Sequence, residues 1–193
     1  SLLVDWETGE PLESAKALEF RDGWFAVVPP PAGRENTAGP TLYATGGGAL
    51  FDRDKFLALG GFDWLYYPFY AEDFDVSYRA WKAGYTVRHE PRAVVRHRLR
   101  ATNTNLFRET YRRRAVLKNH WLWYWKCIDH PGLLAAHLLR LPLLAARQII
   151  SEGPNALLAL GWALLHLPRA LAGRRAMRRA VSDPAVANAV RGQ

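Results

Sequence analysis

The segment Tyr70–Tyr85 constrains the fold of this chain more than any other part of the sequence. Phe74, Tyr78 and Trp81 are spaced at i, i+4 and i+7, so on a helix they share one face. Gly84 follows at a position where helices commonly end. The pattern predicts a helix over about 71–83 whose aromatic face packs into a core.

Two adjacent carboxylates, Glu72 and Asp73, begin this predicted helix. Acidic residues at such a position often do no more than complement the helix dipole. A carboxylate held ionised there can also accept a proton from a hydroxyl group, as a general base does. The aromatic loop before the helix, Tyr66–Tyr70, favours the second interpretation, because aromatic rings commonly contact sugar faces. Packing of these rings into the core is the alternative.

The sequence around this helix predicts an α/β fold. Three segments have the composition of short strands: 2–4, 24–28 and 42–45. A proline-rich loop over 29–40 separates the last two, because consecutive prolines cannot join a sheet ladder or continue a helix. Asp52 or Asp54 can cap a short helix that ends near Leu59. Two more short strands, separated by Pro91, are expected after the acidic helix.

The C-terminal third of the sequence is basic and helical. A long basic helix is expected over 103–126, followed by two apolar helices that separate near Gly153–Pro154. The chain has a formal charge of +8, and residues 131–193 contain eight Arg, no Lys and two acids. Leucine combined with arginine is typical of a membrane surface. The single cysteine, Cys127, excludes a disulfide framework and a cysteine-rich zinc site.

The apolar segments are not expected to cross a membrane, because a span needs roughly 20 apolar residues. Polar or helix-breaking residues interrupt the first segment: His137, Arg140, Pro142 and Arg147. Either the helices lie in the membrane interface, with Trp162 and the arginines at headgroup level, or they cap the domain core. The start of the chain lacks both a signal peptide and an initiator Met, so a fragment or a processed product is expected.

Two further motifs flank the acidic helix. The run Gly46-Gly47-Gly48 lets the backbone approach a ligand closely, or permits a tight turn. His97 follows the last predicted strand and is either structural or a ligand for a metal such as Mg²⁺ or Mn²⁺. The nearby Arg98 and Arg100 suit a diphosphate, or form a solvated basic loop. Each motif on its own is a weak signal.

Taken in order, these motifs resemble a known family. A glycine turn leads into Phe51–Phe56, then Gly60-Gly61-Phe62-Asp63, then Ala71–Tyr85, and finally a strand that ends at His97. This order resembles the C-terminal half of a family 2 glycosyltransferase catalytic domain, of the GT-A fold. The rhamnosyltransferase-like bacterial members are most similar, and the resemblance covers residues 40–126. The implied fold class is α/β, a partial GT-A domain with a C-terminal helical extension at a possible membrane surface.

The resemblance implies a role for each motif. Asp73 matches the catalytic base, Glu72 a residue that orients the acceptor, and His97 a ligand of a divalent cation, Mg²⁺ or Mn²⁺. Four residues match the acceptor-side wall: Gly46, Gly47, Gly48 and Trp64. Arg98 and Arg100 are placed to contact the donor diphosphate. The implied partners are a nucleotide-sugar donor and a glycan or lipid-linked acceptor.

The donor-binding half of such a domain precedes the glycine turn and ends in an Asp-x-Asp motif. No such motif occurs upstream of the turn here. Asp52-Arg53-Asp54 follows the turn, and Asp73-Phe74-Asp75 lies within the acidic helix. We therefore expect a truncated transferase that is inactive alone, with an acceptor-side domain over 1–126 and a basic, apolar helical tail over 127–193.

The leading hypothesis is an inverting, metal-dependent glycosyltransferase fragment that acts on a cell-envelope glycan or glycolipid. It would be cytoplasmic and peripheral at the inner face of the bacterial plasma membrane. The alternative is a non-catalytic membrane-surface or interaction module derived from such an enzyme. Nucleic-acid binding through Arg112–Arg114 is disfavoured, because Trp121, Trp123 and Trp125 alternate along a helix and form no single stacking face.

Overall fold

Seven short strands and six α-helices form a mixed α/β structure in the described part of the chain. It is a computed structural model that describes residues 1–13, 15–34, 37–98 and 107–192. The strands are β1 Leu2–Asp5, β2 Pro11–Glu13, β3 Ala17–Arg21, β4 Trp24–Val28, β5 Gly39–Pro40, β6 Arg88–His89 and β7 Val94–His97. The helices are α1 Arg53–Ala58, α2 Glu72–Lys82, α3 Glu109–Cys127, α4 Pro131–Glu152, α5 Pro154–Ala176 and α6 Asp183–Arg191. A 3₁₀ turn covers Trp64–Tyr66.

The strands form three small sheets. Strand β1 pairs antiparallel with β2 and parallel with β7, which places His97 opposite Asp5. Strands β3 and β4 form a hairpin whose turn residues, Asp22 and Gly23, both have positive φ (51° and 76°). Such a turn matches the twist of the paired strands and favours Asp-Gly. The predicted strands at 2–4 and 24–28 are confirmed.

The predicted strand over 42–45 is wrong, because its backbone groups bond elsewhere. The Leu42 N–H donates to the Lys16 carbonyl (2.8 Å). The Ala44 N–H donates to the Ser77 hydroxyl of α2 (3.1 Å). The pairing strand lies just upstream, where β5 pairs with β6. This arrangement ties the start of the glycine turn to α2.

Helix α2 confirms the prediction from the aromatic spacing. Phe74, Tyr78 and Trp81 are all buried. The rings of Phe74 and Tyr78 pack against Trp123 of α3, at centroid distances of 4.2 and 4.9 Å. Gly84 adopts the left-handed conformation (φ 89°) just after the helix end. The helix is thus fixed by its aromatic side, which leaves its N-terminus pointing toward the glycine turn.

Helix α3 forms the centre of the aromatic core. Its tryptophans 121, 123 and 125 are all buried, so none of them is available to stack on a base. Trp24 of the hairpin stacks on Tyr124 at 5.1 Å. Helix α3 begins at Glu109, and residues 103–106 of the predicted basic helix lie outside the described part.

Helices α4 and α5 confirm the predicted pair of apolar helices and its break at Gly153. The two helices have 22 and 23 residues and are, by length and composition alone, long and apolar enough to cross a membrane. Helix α5 packs along α3, whereas α4 is mostly exposed. Within the described chain, His137 is the one buried residue of α4; its ring contacts the Gly23 carbonyl (2.8 Å).

The C-terminal helix α6 is bonded to α2 through Asp183. This buried carboxylate accepts hydrogen bonds from the Tyr78 hydroxyl (2.8 Å) and from Lys82 Nζ (2.8 Å). It also accepts the N–H groups of Asp129 and His130, at 2.8 Å each. The region predicted as a tail, 127–193, is therefore joined to α2 by a buried ion pair.

Candidate active site

A cavity of about 1120 Å³ lies between the glycine turn, the start of α2, the end of β7 and one face of α3. Six residues at its polar end were predicted as site residues from the sequence: Gly46, Gly47, Glu72, Asp73, His97 and Arg98. They come from three separate parts of the chain. The fold therefore brings most of the predicted constellation together.

The Asp73 carboxylate is held by backbone donors at the cavity surface. Its Oδ2 accepts the Gly46 N–H (2.9 Å), and its Oδ1 accepts the Phe74 N–H (2.7 Å). These donors stabilise the ionised form and orient the carboxylate. The contact to Gly46 fixes Asp73 directly to the glycine turn.

Gly47 allows the turn to lie against the imidazole of His97. A Cβ at Gly47 would be only 2.6 Å from His97 Cε1, so any larger residue would displace the ring. Glycine is required at this position because the His97 ring lies so close to the backbone, and not because the backbone angle φ excludes other residues. The glycine turn thus contacts both the predicted base and the predicted metal ligand.

Glu72 is partly buried beside Asp73. Its Oε2 has no hydrogen-bond partner among the described residues. Burial raises the pKa of Glu72 above its ordinary value, and the neighbouring Asp73 charge raises it further. Glu72 lines the cavity, so its carboxyl group lies beside any hydroxyl-rich ligand bound there, although Oε2 itself is buried.

Helix α3 supplies a wall of the cavity that the sequence did not predict. Arg112, Val116 and His120 line it at i, i+4 and i+8, and Arg113 and Leu117 lie beside them. That spacing is a helical periodicity and was the available signal. Burial lowers the pKa of His120, which favours its neutral form.

The cations of this wall are paired with carboxylates. Glu109 contacts both Arg112 and Arg113, the latter at 3.6 Å. Arg113 also lies 3.5 Å from Glu152, at the end of α4. Residues of β4 complete the opposite, apolar side: Trp24, Phe25 and Val27. The cavity therefore combines polar groups that suit a hydroxyl-rich ligand with an apolar surface.

Two predicted residues of the described chain, Trp64 and Gly48, are not brought into this constellation. Trp64 is 82% exposed and lines a separate cavity of about 360 Å³ with Asp63 and Lys126. Gly48 packs against β1, where an added Cβ would be 2.6 Å from Leu3 Cδ2. Arg100 lies outside the described residues.

The residues present do not by themselves fit a divalent cation. In the described ranges, no group of three or more His, Cys, Asp or Glu side chains is close enough to hold a metal. His97 is one candidate ligand, but Asp73 is engaged by backbone N–H groups. We therefore derive no catalytic step through a metal.

Comparison with known families gives a match. The model described as Glycosyl transferase family group 2 matches residues 32–172. This span includes the glycine turn, Asp73, His97, α3 and α4, and most of α5. No curated protein gives a significant match. Since the matched span is well over half of the chain, the protein belongs to glycosyltransferase family 2.

Proposed function

We propose that this chain carries the acceptor side of an inverting glycosyltransferase active site, with Asp73 as the general base. The observation that supports this most is the Asp73 carboxylate, held against the Gly46 N–H at the surface of the large cavity. Glu72 and His97 line the same cavity. A base must be both oriented and accessible to its substrate, and Asp73 meets both conditions.

In the proposed reaction, Asp73 accepts the proton of an acceptor hydroxyl while that oxygen attacks the anomeric carbon of the donor sugar. The new carbon–oxygen bond forms as the bond to the nucleoside diphosphate breaks, and its electron pair leaves with the diphosphate. Attack opposite the leaving group inverts the anomeric centre. Glu72 would accept a hydrogen bond from an acceptor hydroxyl and orient it.

Arg98 is the described cation placed to stabilise the leaving diphosphate, since it is exposed and lines the cavity. Arg100 is proposed for the same role from the sequence alone. His97 is proposed as one ligand of a divalent cation, which would supply further charge neutralisation when bound; its other ligands would have to come from outside the described residues. The donor nucleotide and its sugar would be bound chiefly by a preceding half-domain.

The exposed leucines of α4 and α5 support a peripheral membrane location. On α4, Leu139, Leu143 and Ile150 share one exposed face, and Ile150 is 85% exposed. Arg140 and Arg147 are also exposed and lie on the adjacent flank of the helix. Apolar residues flanked by arginine suit a helix that lies in the interface of an anionic membrane.

Helix α5 also exposes leucines. Its exposed residues include Leu157, Leu158, Leu164 and Leu165, the last of which is 80% exposed. The end of α4, at Glu152, lines the large cavity. A membrane bound along α4 and α5 would therefore lie near that cavity, which favours a glycolipid or membrane-attached glycan as acceptor. The location would be the cytoplasmic face of the bacterial plasma membrane.

The decisive test of catalysis uses the longest natural protein that contains this chain. Sugar transfer from a panel of nucleotide sugars is measured for the parent and for Asp73→Asn. Loss of a general base should lower kcat by about 10²–10⁴-fold. Transfer at the parent rate would exclude Asp73 as the base. Asp54→Asn is the control, because that side chain is 92% exposed and does not line the cavity.

Calorimetry on the 193-residue chain tests the predicted truncation and separates the enzyme from a non-catalytic module. Uridine and thymidine diphosphate sugars are titrated with and without Mn²⁺. We expect no donor binding by this chain, and donor binding by the longer natural protein. Binding by the shorter chain would contradict the truncation, and failure of the longer protein to bind any donor would favour the module.

Flotation with vesicles tests the membrane surface. Phosphatidylcholine vesicles with and without phosphatidylglycerol are mixed with the chain and with Leu139→Asp/Leu165→Asp. The parent should float with anionic vesicles, and the double variant should float less. Leu50→Asp is the matched control, because Leu50 is 98% exposed but lies outside α4 and α5. Equal flotation of both variants would exclude this surface.

A further inference from the structure

Helix α3 also contacts the aromatic loop that leads into the proposed base. Asn119 is fully buried, and its Nδ2 lies within hydrogen-bonding distance of three carbonyl groups of that loop, which share its two N–H donors. The acceptors are Tyr66 (3.0 Å), Phe69 (2.9 Å) and Tyr70 (2.7 Å). The Asn119 Oδ1 has no partner in the described chain. The side chain therefore serves as a donor to this loop.

Lys118, the adjacent residue, contacts the same loop. Its Nζ donates to the Tyr67 carbonyl (2.9 Å) and lies 4.4 Å from the centre of the Trp162 ring of α5. Lys118 is 1% exposed, and it takes part in none of the ion pairs found among the described residues. Burial lowers the pKa of Lys118 to about 8. The buried ammonium group of Lys118 is thus bound to the backbone carbonyl of Tyr67.

The loop held in this way has an unfavourable backbone. Tyr70 and Ala71 have φ values of 69° and 76°, in the left-handed region that residues with a side chain rarely adopt. Ala71 is also the N-cap of α2 and offers no side-chain hydrogen bond to the helix. The position of the first turn of α2, which contains Asp73, is therefore set from outside that helix.

We propose that Lys118 and Asn119 are positioning residues, which hold the carbonyls of residues 66–70 and thereby place Asp73 against the glycine turn. The catalytic meaning of this placement rests on the proposed function. The placement itself does not, because it can be measured without a substrate. The backbone N–H groups of Gly46 and Phe74 both donate hydrogen bonds to the Asp73 carboxylate, so their hydrogen-exchange rates measure whether Asp73 is in place.

Hydrogen exchange of these amides tests the proposal in the 193-residue chain. Asn119→Leu removes the donors and keeps the volume. Asn155→Leu is the matched control. The Asn155 Oδ1 accepts a hydrogen bond from Arg114 Nε of α3 (2.8 Å), but its side chain has no hydrogen bond to the loop among those of the described residues. Exchange at Gly46 and Phe74 should rise at least about tenfold in Asn119→Leu and stay near the parent rate in the control.

Unchanged exchange in Asn119→Leu, or an equal rise in Asn155→Leu, would overturn the proposal. If Asn119→Leu does not fold, Lys118→Met decides by the same criterion, since it removes the Tyr67 contact and keeps a long apolar stem. In the longer natural protein, Asn119→Leu should also lower kcat by about 100-fold with little change in the donor KM. A change in donor KM alone would contradict positioning of the base.

Discussion

The first turn of helix α2 carries two aspartates with opposite properties. Asp73 faces the large cavity and is held by the N–H groups of Gly46 and Phe74. Asp75, two residues later, is 0% exposed and surrounded by side chains. It accepts hydrogen bonds from the Tyr66 hydroxyl (2.8 Å) and from Lys126 Nζ (2.7 Å), and Arg79 Nε lies 2.7 Å away.

The difference separates a proposed reactive carboxylate from a structural one. A buried carboxylate paired with two cations and a phenol is fixed in place, and a substrate cannot reach it. A carboxylate held by backbone N–H groups at a cavity surface is oriented and still accessible. The sequence Asp-Phe-Asp gives no reason to distinguish its two aspartates. Because residues two apart on a helix lie on different faces, Asp73 faces the cavity and Asp75 faces the protein interior.

The largest effect on stability is expected from Asp75→Asn. The variant leaves Arg79 and Lys126 buried beside a neutral amide, and breaking a buried ion pair commonly costs about 3–5 kcal/mol. Urea or thermal unfolding measures the loss. Asp54→Asn, at a 92% exposed side chain, is the control and should have no measurable effect. A loss below about 1 kcal/mol for Asp75→Asn would show that the pairing does not stabilise the fold.

A smaller loss, of about 1.5–3 kcal/mol, is expected from Asp183→Asn, because hydrogen bonds to a charged group are weakened rather than all removed. The affected donors include Tyr78 and Lys82 at the C-terminal end of α2. Unfolding followed by near-ultraviolet circular dichroism should remain a single transition, since α6 and α2 share this carboxylate. Separate unfolding transitions for α2 and α6 would show that the two helices do not unfold together.

The same carboxylate predicts an acid-dependent stability. Its partners Lys82, His130 and Tyr78 lower the pKa of Asp183 below its ordinary value of 3.8 despite burial. A carboxyl with a lowered folded-state pKa contributes stability that is complete above the unfolded pKa and is lost as the pH falls through the folded one. The difference between parent and Asp183→Asn should therefore shrink below about pH 4.

Asp73→Asn should change stability by only about 1 kcal/mol, although it is proposed to abolish most transfer. The amide keeps one oxygen for the Gly46 or Phe74 N–H and loses the favourable charge at the helix N-terminus. Thermal unfolding of Asp73→Asn and Asp75→Asn, measured side by side, compares the two aspartates directly. An equal loss of stability in both variants would remove the distinction drawn between them.

Sequence patterns predicted α2 and the α4–α5 break because both depend on local spacing and on glycine. They also predicted a site of Glu72, Asp73 and His97, which the fold brings into one cavity. The predicted strand over 42–45 failed because its N–H groups bond to Lys16 and to Ser77, which are distant in sequence.

The interior charges were also not predictable from composition. A basic chain indicated anionic partners, yet three of its lysines, Lys82, Lys118 and Lys126, are buried. Two of them bind aspartates, and Lys118 binds a carbonyl. Asn119 likewise contacts backbone groups about 50 residues earlier, with no side-chain partner to suggest the contact. Such roles depend on tertiary geometry, which local periodicity does not contain.

The smallest expected effect is that of Glu72→Gln, and it depends on pH. Burial raises the pKa of Glu72, so its contribution to stability is present below the unfolded pKa, near 4.5, and is lost as the pH rises through the folded one. Glutamine carries no charge to bury. The variant should therefore be more stable than the parent at pH 8, by less than about 1 kcal/mol because the group is partly exposed to solvent. The difference should disappear at pH 4.

Thermal unfolding of the parent and Glu72→Gln at pH 4 and pH 8 measures this difference, with Asp54→Asn as the control for a solvated carboxyl. A variant that is less stable than the parent at pH 8 would mean that ionised Glu72 has a stabilising partner, which would exclude burial as the cause of its raised pKa. The result also bears on the proposed acceptor. A hydroxyl that donates a hydrogen bond to the Glu72 carboxylate would stabilise its charged form, so an acceptor added at saturation should reduce the gain in stability from glutamine.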